Sequence, residues 1–194
     1  MVFIDIIQAT SSNILTSETT FSNYILIVDT YSKNTKLYGM ERITTEEAMD
    51  KLDMFQDIFG KVDELGWWDL ERISSNAETQ FTSTEFQDGC PTRGVWLMLE
   101  ALEHQEICGQ IKVTWRTLHM IAHSLMLHTQ FLEAYIHFHL MYTADHIFPD
   151  LPIKDWINED EESNNPFKLA TGTKPSIFNL LVLFCLRILR KATV

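Results

Sequence analysis

A chain of 194 residues with 45% hydrophobic content is long enough for one domain with a sizeable core. Its 15 basic and 27 acidic side chains leave a formal charge of −12, which weighs against autonomous nucleic-acid binding, because phosphate recognition draws on clustered Lys and Arg. Cys90, Cys108 and Cys185 are odd in number and never stand at CxxC spacing, which excludes a zinc finger or disulfide framework and points to a reducing, intracellular compartment.

Asp5 falls among the first apolar residues with no basic leader before it, so no signal peptide is expected. The longest apolar run, Leu180 to Leu186, is closed by Asn179 and Arg187. It is far short of the ~20 residues of a spanning helix, so a buried strand and no membrane partner are expected.

Val2-Phe3-Ile4-Asp5-Ile6-Ile7 reads as a strand buried on both faces and interrupted by one carboxylate. A lone charge there is costly unless paired, so Asp5 either meets a cationic side chain, lies just outside the core, or ligates a metal. The Ser/Thr-rich stretch from Gln8 to Ser22 reads as a loop. Tyr24 to Val28 is a second strand, Asp29 to Asn34 a turn, and Lys36 to Met40 a third strand antiparallel to the second. Asp29 is read as a turn carboxylate, with a ligand role as the alternative.

Thr44-Thr45-Glu46-Glu47 is a capping box, and Ala48, Met49, Leu52, Phe55, Ile58 and Phe59 recur at helical spacing behind it. The helix is expected over Glu46 to Phe59, stopped by Gly60, with Asp50, Asp53 and Asp57 on a solvated face. Trp67 and Trp68 are expected to pack under a fourth strand, Leu70 to Ser75. A polar turn at Asn76 follows, then a short helix around Thr84 to Asp88 capped by Thr82 or Ser83. Pro91 and Gly94 bracket a turn before a fifth strand, Val95 to Leu99.

Glu100 to Gly109 reads as a charged loop, Gln110 to about His128 as a long helix, and Leu132 to Ile147 as another, closed by Pro149 and Pro152. Three strands first, then strands separated by helices, predict an α/β fold: a five-stranded mixed sheet with helices on both faces. The acidic stretch Asn158 to Asn165 reads as an exposed linker. The expected division is a core over 1–152, a linker over 153–165 and a further segment over 166–194.

His119 and His123 stand at i, i+4 and can share one helix face. Zinc proteases use that spacing, but the position of their Glu base holds Met120. His128, His137 and His139 follow nearby, and aromatic packing along two helices accounts for the group. No GxSxG elbow and no phosphate-cradling glycine loop occur.

Three parts stand together in order: Asp5 in strand one, Asn76 at the exit of strand four, and the loop from His104 to Gly109 leading to Lys112 in the first turn of a helix. With Phe3-Ile4-Asp5, Tyr24 to Lys33, Asn76 to Phe86 and His104 to Thr117, the chain resembles the integrase catalytic core of copia-type retrotransposons, an RNase H-like fold, and Pro166 to Leu169 with Gly172 to Pro175 is similar to the segment such polyproteins carry after the core. The resemblance implies DNA as partner and two divalent ions, Mg²⁺ or Mn²⁺, held by two Asp and one Glu. These ions would activate a water or DNA 3′-hydroxyl for in-line displacement at phosphorus. It also implies a nuclear location and a core that dimerises.

The first acid of that pattern maps to Asp5, the expected metal ligand. The second maps to Asn76 and the third to Lys112, so two of three acidic positions are substituted. One negative charge remains beside an amide and an ammonium, and an amide oxygen does not offset a cation's charge. Glu78, Glu103 or Glu106 would each need the ligand geometry rebuilt to substitute. The expected result is a degenerate copy with the fold kept, tight metal binding and catalysis lost, and DNA binding weak or absent. Neither the family's zinc-binding module before the core nor its basic region after it is expected in this copy. The alternative expectation is a non-catalytic dimerisation or interaction module.

Overall fold

The computed structural model describes residues 1–8, 21, 23–59, 70–99, 105–129 and 136–147, with side chains in the fourth helix from residue 109. The expected contributions of Trp67, Trp68, the 153–165 linker, the 166–194 segment and the Leu180 to Leu186 run lie outside these residues.

Strand β1, Val2–Gln8, is the centre of the sheet. Its long apolar run suits it for burial on both faces. Strand β2, Asn23–Asp29, pairs with it antiparallel, and β3, Thr35–Met40, pairs antiparallel with β2. On the other side β4, Arg72–Ser75, is parallel to β1, and β5, Trp96–Leu99, is parallel to β4. The order β3-β2-β1-β4-β5 is the expected mixed five-stranded sheet.

Alternation along the strands divides the core into two layers. Ile4, Ile6, Ile25 and Ile27 pack with Ala48, Leu52 and Phe55 of helix α1, Thr45–Phe59. Phe3, Tyr24, Leu26 and Val28 pack with Ile111, Leu118, Ala122 and Met126 of helix α4, Gln105–Thr129, and with Ile136 and Leu140 of α5, Ile136–Tyr142. Each Val, Leu, Ile, Phe or Met among them gains about 1.5–3 kcal/mol from burial, which is why the two faces fix α1 and α4 on opposite sides.

Several boundaries differ from expectation. Half of the capping box forms: Thr44 Oγ1 accepts from the Glu47 N–H at 3.2 Å. The Glu47 carboxylate instead takes the N–H groups of Glu41 and Arg42, each at 2.8 Å, and so ties the incoming loop to the helix. The short helix is two: α2, Thr79–Thr82, and α3, Thr84–Thr92, the latter capped by Ser83 Oγ on the Phe86 N–H. Phe86 and Cys90, one turn apart and both buried, hold α3 to the sheet past the point where Pro91 suggested a turn.

Helix α4 begins at Gln105, not Gln110, so Glu106 lies inside it. The last helix is α5 followed by a π-helical turn, Thr143–Ile147, rather than one continuous helix. Asp53 lies on the partly solvated face as expected, and there Arg93 grips both its oxygens, at 2.5 and 2.8 Å, and links α1 to the end of α3.

The sheet's two edges differ. Along β3 five of six residues are buried, and Lys36 reaches Asp145 of the π turn at 2.8 Å. Along β5 Trp96, Met98 and Leu99 are exposed, Trp96 at 76%.

Candidate functional site

The register of the parallel β1–β4 pair builds the site. Phe3 stands beside Ser74 and Ile4 beside Ser75, so one step further brings Asp5 alongside Asn76. Both side chains lie on the α4 face, because Phe3, two residues before Asp5, packs there. The Asn76 amide Nδ2 donates to Asp5 Oδ1 at 2.8 Å and to Glu78 Oε1 at 3.0 Å. Its own Oδ1 is buried and has no hydrogen-bond partner among the described residues. An unmet buried acceptor costs about 1–3 kcal/mol, so the two carboxylates determine how this amide is oriented.

Glu78 enters the network from the N-cap position of α2, and its side chain makes no capping bond there. Glu78 lies in the turn after Asn76, as expected, and it sits against the same amide as Asp5. Its place depends on the path of a two-residue turn, and nothing in its local sequence marks it.

The Asp5 carboxyl is raised to about 6, first by burial and then by the Glu78 charge. A backbone hydrogen bond at Ile6, the Asn76 amide and the Lys112 charge pull the other way. Burial also raises Glu78, against the Asn76 hydrogen bond. Lys112 is exposed on the first turns of α4 and acts on Asp5 through its field. The structure thus brings Asp5, Asn76 and Glu78 into contact, with Lys112 within electrostatic reach. Glu103 lies outside the described residues, and Glu106 is described only by its backbone position.

These residues do not fit a pair of divalent ions. A hard cation needs converging oxygen ligands. Here the two carboxylates converge on N–H donors, and the nearby formal charge is an ammonium. Among the described residues no three His, Cys, Asp or Glu side chains are grouped to hold a metal.

Asp29 is a turn carboxylate. Its Oδ2 accepts from the Ser32 N–H and hydroxyl, each at 2.6 Å, inside the β2–β3 turn. The histidines divide. His139 is buried at 1% exposure, as packing requires. His119 and His123 are exposed, yet they too pack along the helix, His119 against Trp115 at 5.9 Å between centroids and against His123 at 6.3 Å and 15° from parallel.

No protein-family model and no curated protein matches the sequence. Solved structures do match the fold. One is a chain of the simian T-cell lymphotropic virus intasome in complex with PP2A regulatory subunit B56 gamma, with a TM-score of 0.64 and 16% identity, covering 88% of this chain. The present chain spans 53% of that one's length. Another is the HTLV-2 integrase catalytic core domain in complex with magnesium, in a trimeric form, with a TM-score of 0.59 and 16% identity, covering 87% of this chain and 94% of the other. Its dimeric form matches with a TM-score of 0.57 at the same identity and coverage.

The fold is that of an integrase catalytic core.

In this RNase H-like frame α4 lies on the face of the sheet that carries Asp5 and Asn76. At 16% identity the likeness establishes architecture and leaves the chemistry to the residues present.

Proposed function

We propose that this chain is an integrase-core-like domain of a copia-type retrotransposon polyprotein, descended from a DNA strand-transfer enzyme and without its two-ion chemistry. The observation that carries the reading is the Asn76 amide donating to both Asp5 and Glu78. In a strand-transferring core that position would present an anion to a metal. Here it presents N–H groups to anions, and Lys112 adds a positive charge on the α4 side. Two ions carrying four positive charges would meet two carboxylates, each raised by burial toward its neutral form.

Magnesium in the HTLV-2 core neighbour supports the ancestry of the pocket. The formal charge of −12 supports weak or absent DNA binding by this chain alone. A nuclear location follows only if the chain acts within an integration complex. The test is strand transfer on a short DNA duplex with Mg²⁺ or Mn²⁺. No product is expected; activity that Asp5→Ala abolishes would overturn the reading.

A second reading is an interaction module that associates with its own copies. Val113, Met120 and Leu127 are exposed on α4 at seven-residue intervals. Between them Thr117 and Ser124 turn their hydroxyls back onto the carbonyls of Val113 and Met120, at 2.9 and 2.8 Å. The result is a 4-3-4-3 seam of large and small side chains, the spacing a second helix fits. The dimeric and trimeric forms of the HTLV-2 core are consistent with association of this fold. Sedimentation of the full chain decides: a strict monomer at all concentrations removes this reading.

A further inference from the structure

We propose that His119 and His123 on the outer surface of α4 form a bidentate site for a borderline transition-metal ion such as Ni²⁺, Zn²⁺ or Cu²⁺. The site is separate from the Asp5 pocket and does not rest on any reading of it. The spacing i, i+4 puts the two imidazoles one above the other on a helix. They are exposed, with ring centroids 6.3 Å apart and planes 15° from parallel. A tetrahedral ion with bonds of ~2.1 Å holds its two nitrogen ligands roughly 3.4 Å apart. Rotation of two solvent-facing rings about their side-chain torsions brings one nitrogen of each to that separation without moving the backbone.

Three features favour occupation over packing. Both rings are exposed, so turning them uncovers no buried side chain beyond the edge contact of His119 with Trp115. Helix α4 is anchored along its opposite side by Ile111, Leu118, Ala122 and Met126, so the spacing of the pair is fixed before an ion arrives. The chemical class follows from the ligands: imidazole nitrogen suits Zn²⁺, Ni²⁺ and Cu²⁺, whereas Mg²⁺ and Mn²⁺ prefer oxygen. No third His, Cys, Asp or Glu joins the pair among the described residues, so the remaining coordination positions belong to water.

The neighbouring ring supplies a signal. Trp115 lies one turn before His119, with ring centroids 5.9 Å apart. A paramagnetic ion held by the pair therefore quenches Trp115 emission. The experiment is titration of the full chain with NiCl₂, followed by calorimetry and by tryptophan fluorescence, with ZnCl₂ as a competitor that does not quench by itself.

The wild type is expected to bind one Ni²⁺ at this site. His119→Ala and His123→Ala should each weaken it at least tenfold with the helical circular dichroism unchanged. Trp115→Phe should remove most of the quenching and leave the calorimetric affinity in place. His146→Ala, on the π turn, should change nothing. Affinities of both His119→Ala and His123→Ala equal to wild type would overturn the proposal. So would loss of the site in His146→Ala, or quenching that persists in Trp115→Phe.

Discussion

The Asn76 amide nitrogen lies 2.8 Å from Asp5 Oδ1 although 71 residues separate them, and the same nitrogen reaches Glu78 at 3.0 Å. Asn76→Ala removes the one donor the two carboxylates share. The expected loss is about 1–3 kcal/mol of stability at neutral pH. Urea unfolding of the variant and wild type measures it, and an unchanged midpoint would mean the contact contributes nothing.

Asp5 also sets a pH dependence. Its carboxyl is raised to about 6, first by burial and then by the Glu78 charge. In the unfolded chain it returns to the ordinary range near ~3.9. Between those values the folded state holds a proton that the unfolded state releases, so this group's contribution to stability falls as pH climbs from ~4 to ~6. The penalty is complete above that window and absent below it. Asp5→Asn should therefore match wild type near pH 4 and exceed it by about 1–3 kcal/mol at pH 7. Unfolding both proteins across that range gives the difference directly.

Restoring anions at both substituted positions tests the assignment of the pocket. Asn76→Asp combined with Lys112→Glu replaces an amide and an ammonium by two carboxylates beside Asp5. Mn²⁺ affinity, read by calorimetry, should rise at least tenfold. No change would count against placing these residues at the acid positions of the fold.

Gly39 makes a prediction about packing. The Phe21 ring lies directly over it, so a Cβ at this position would collide with the ring. Gly39→Ala should cost about 1–3 kcal/mol by forcing Phe21 out of its place against the α4-side core. Thermal unfolding checks it, and Phe21→Ala made in the same background should recover part of the loss.

Cys90 is fully buried, and burial pushes its thiol up to about 11. The thiolate is the reactive form, so the native protein should leave Cys90 unmodified by a thiol reagent for as long as it stays folded. Peptide mass spectrometry after brief labelling, with and without urea, checks this: the Cys90 peptide should be labelled only in urea.

The sheet was legible because apolar strands with turn residues between them constrain topology. Tyr24 to Val28 and Lys36 to Met40 are joined by too few residues for anything but an antiparallel pair. The parallel pairing of β1 with β4 then followed from the helices between strands. The ends of helices were harder. Gly109 and the charges before it read as loop, yet α4 runs through them, because burial of its later residues against the sheet outweighs the roughly 1 kcal/mol that a helical glycine costs. Asp53 lay hidden for a different reason: helical periodicity shows which face a side chain occupies but not that Arg93, 40 residues on, is brought opposite it. That pair is partly exposed and contributes no more than ~1 kcal/mol, so it left no mark on the residue pattern. Glu78 is the same problem at short range, since its direction is decided by turn torsions.

Among the described residues nothing pairs with the outer edge of β5, and this has a practical consequence. Four consecutive apolar residues, Trp96-Leu97-Met98-Leu99, form a strand with no charge or proline to deter a stray strand from docking. Concentrated samples should therefore stick together along this border, while the opposite border, shielded by the π turn, stays inert. A lysine in place of Trp96 is the least intrusive remedy for anyone seeking a monodisperse preparation.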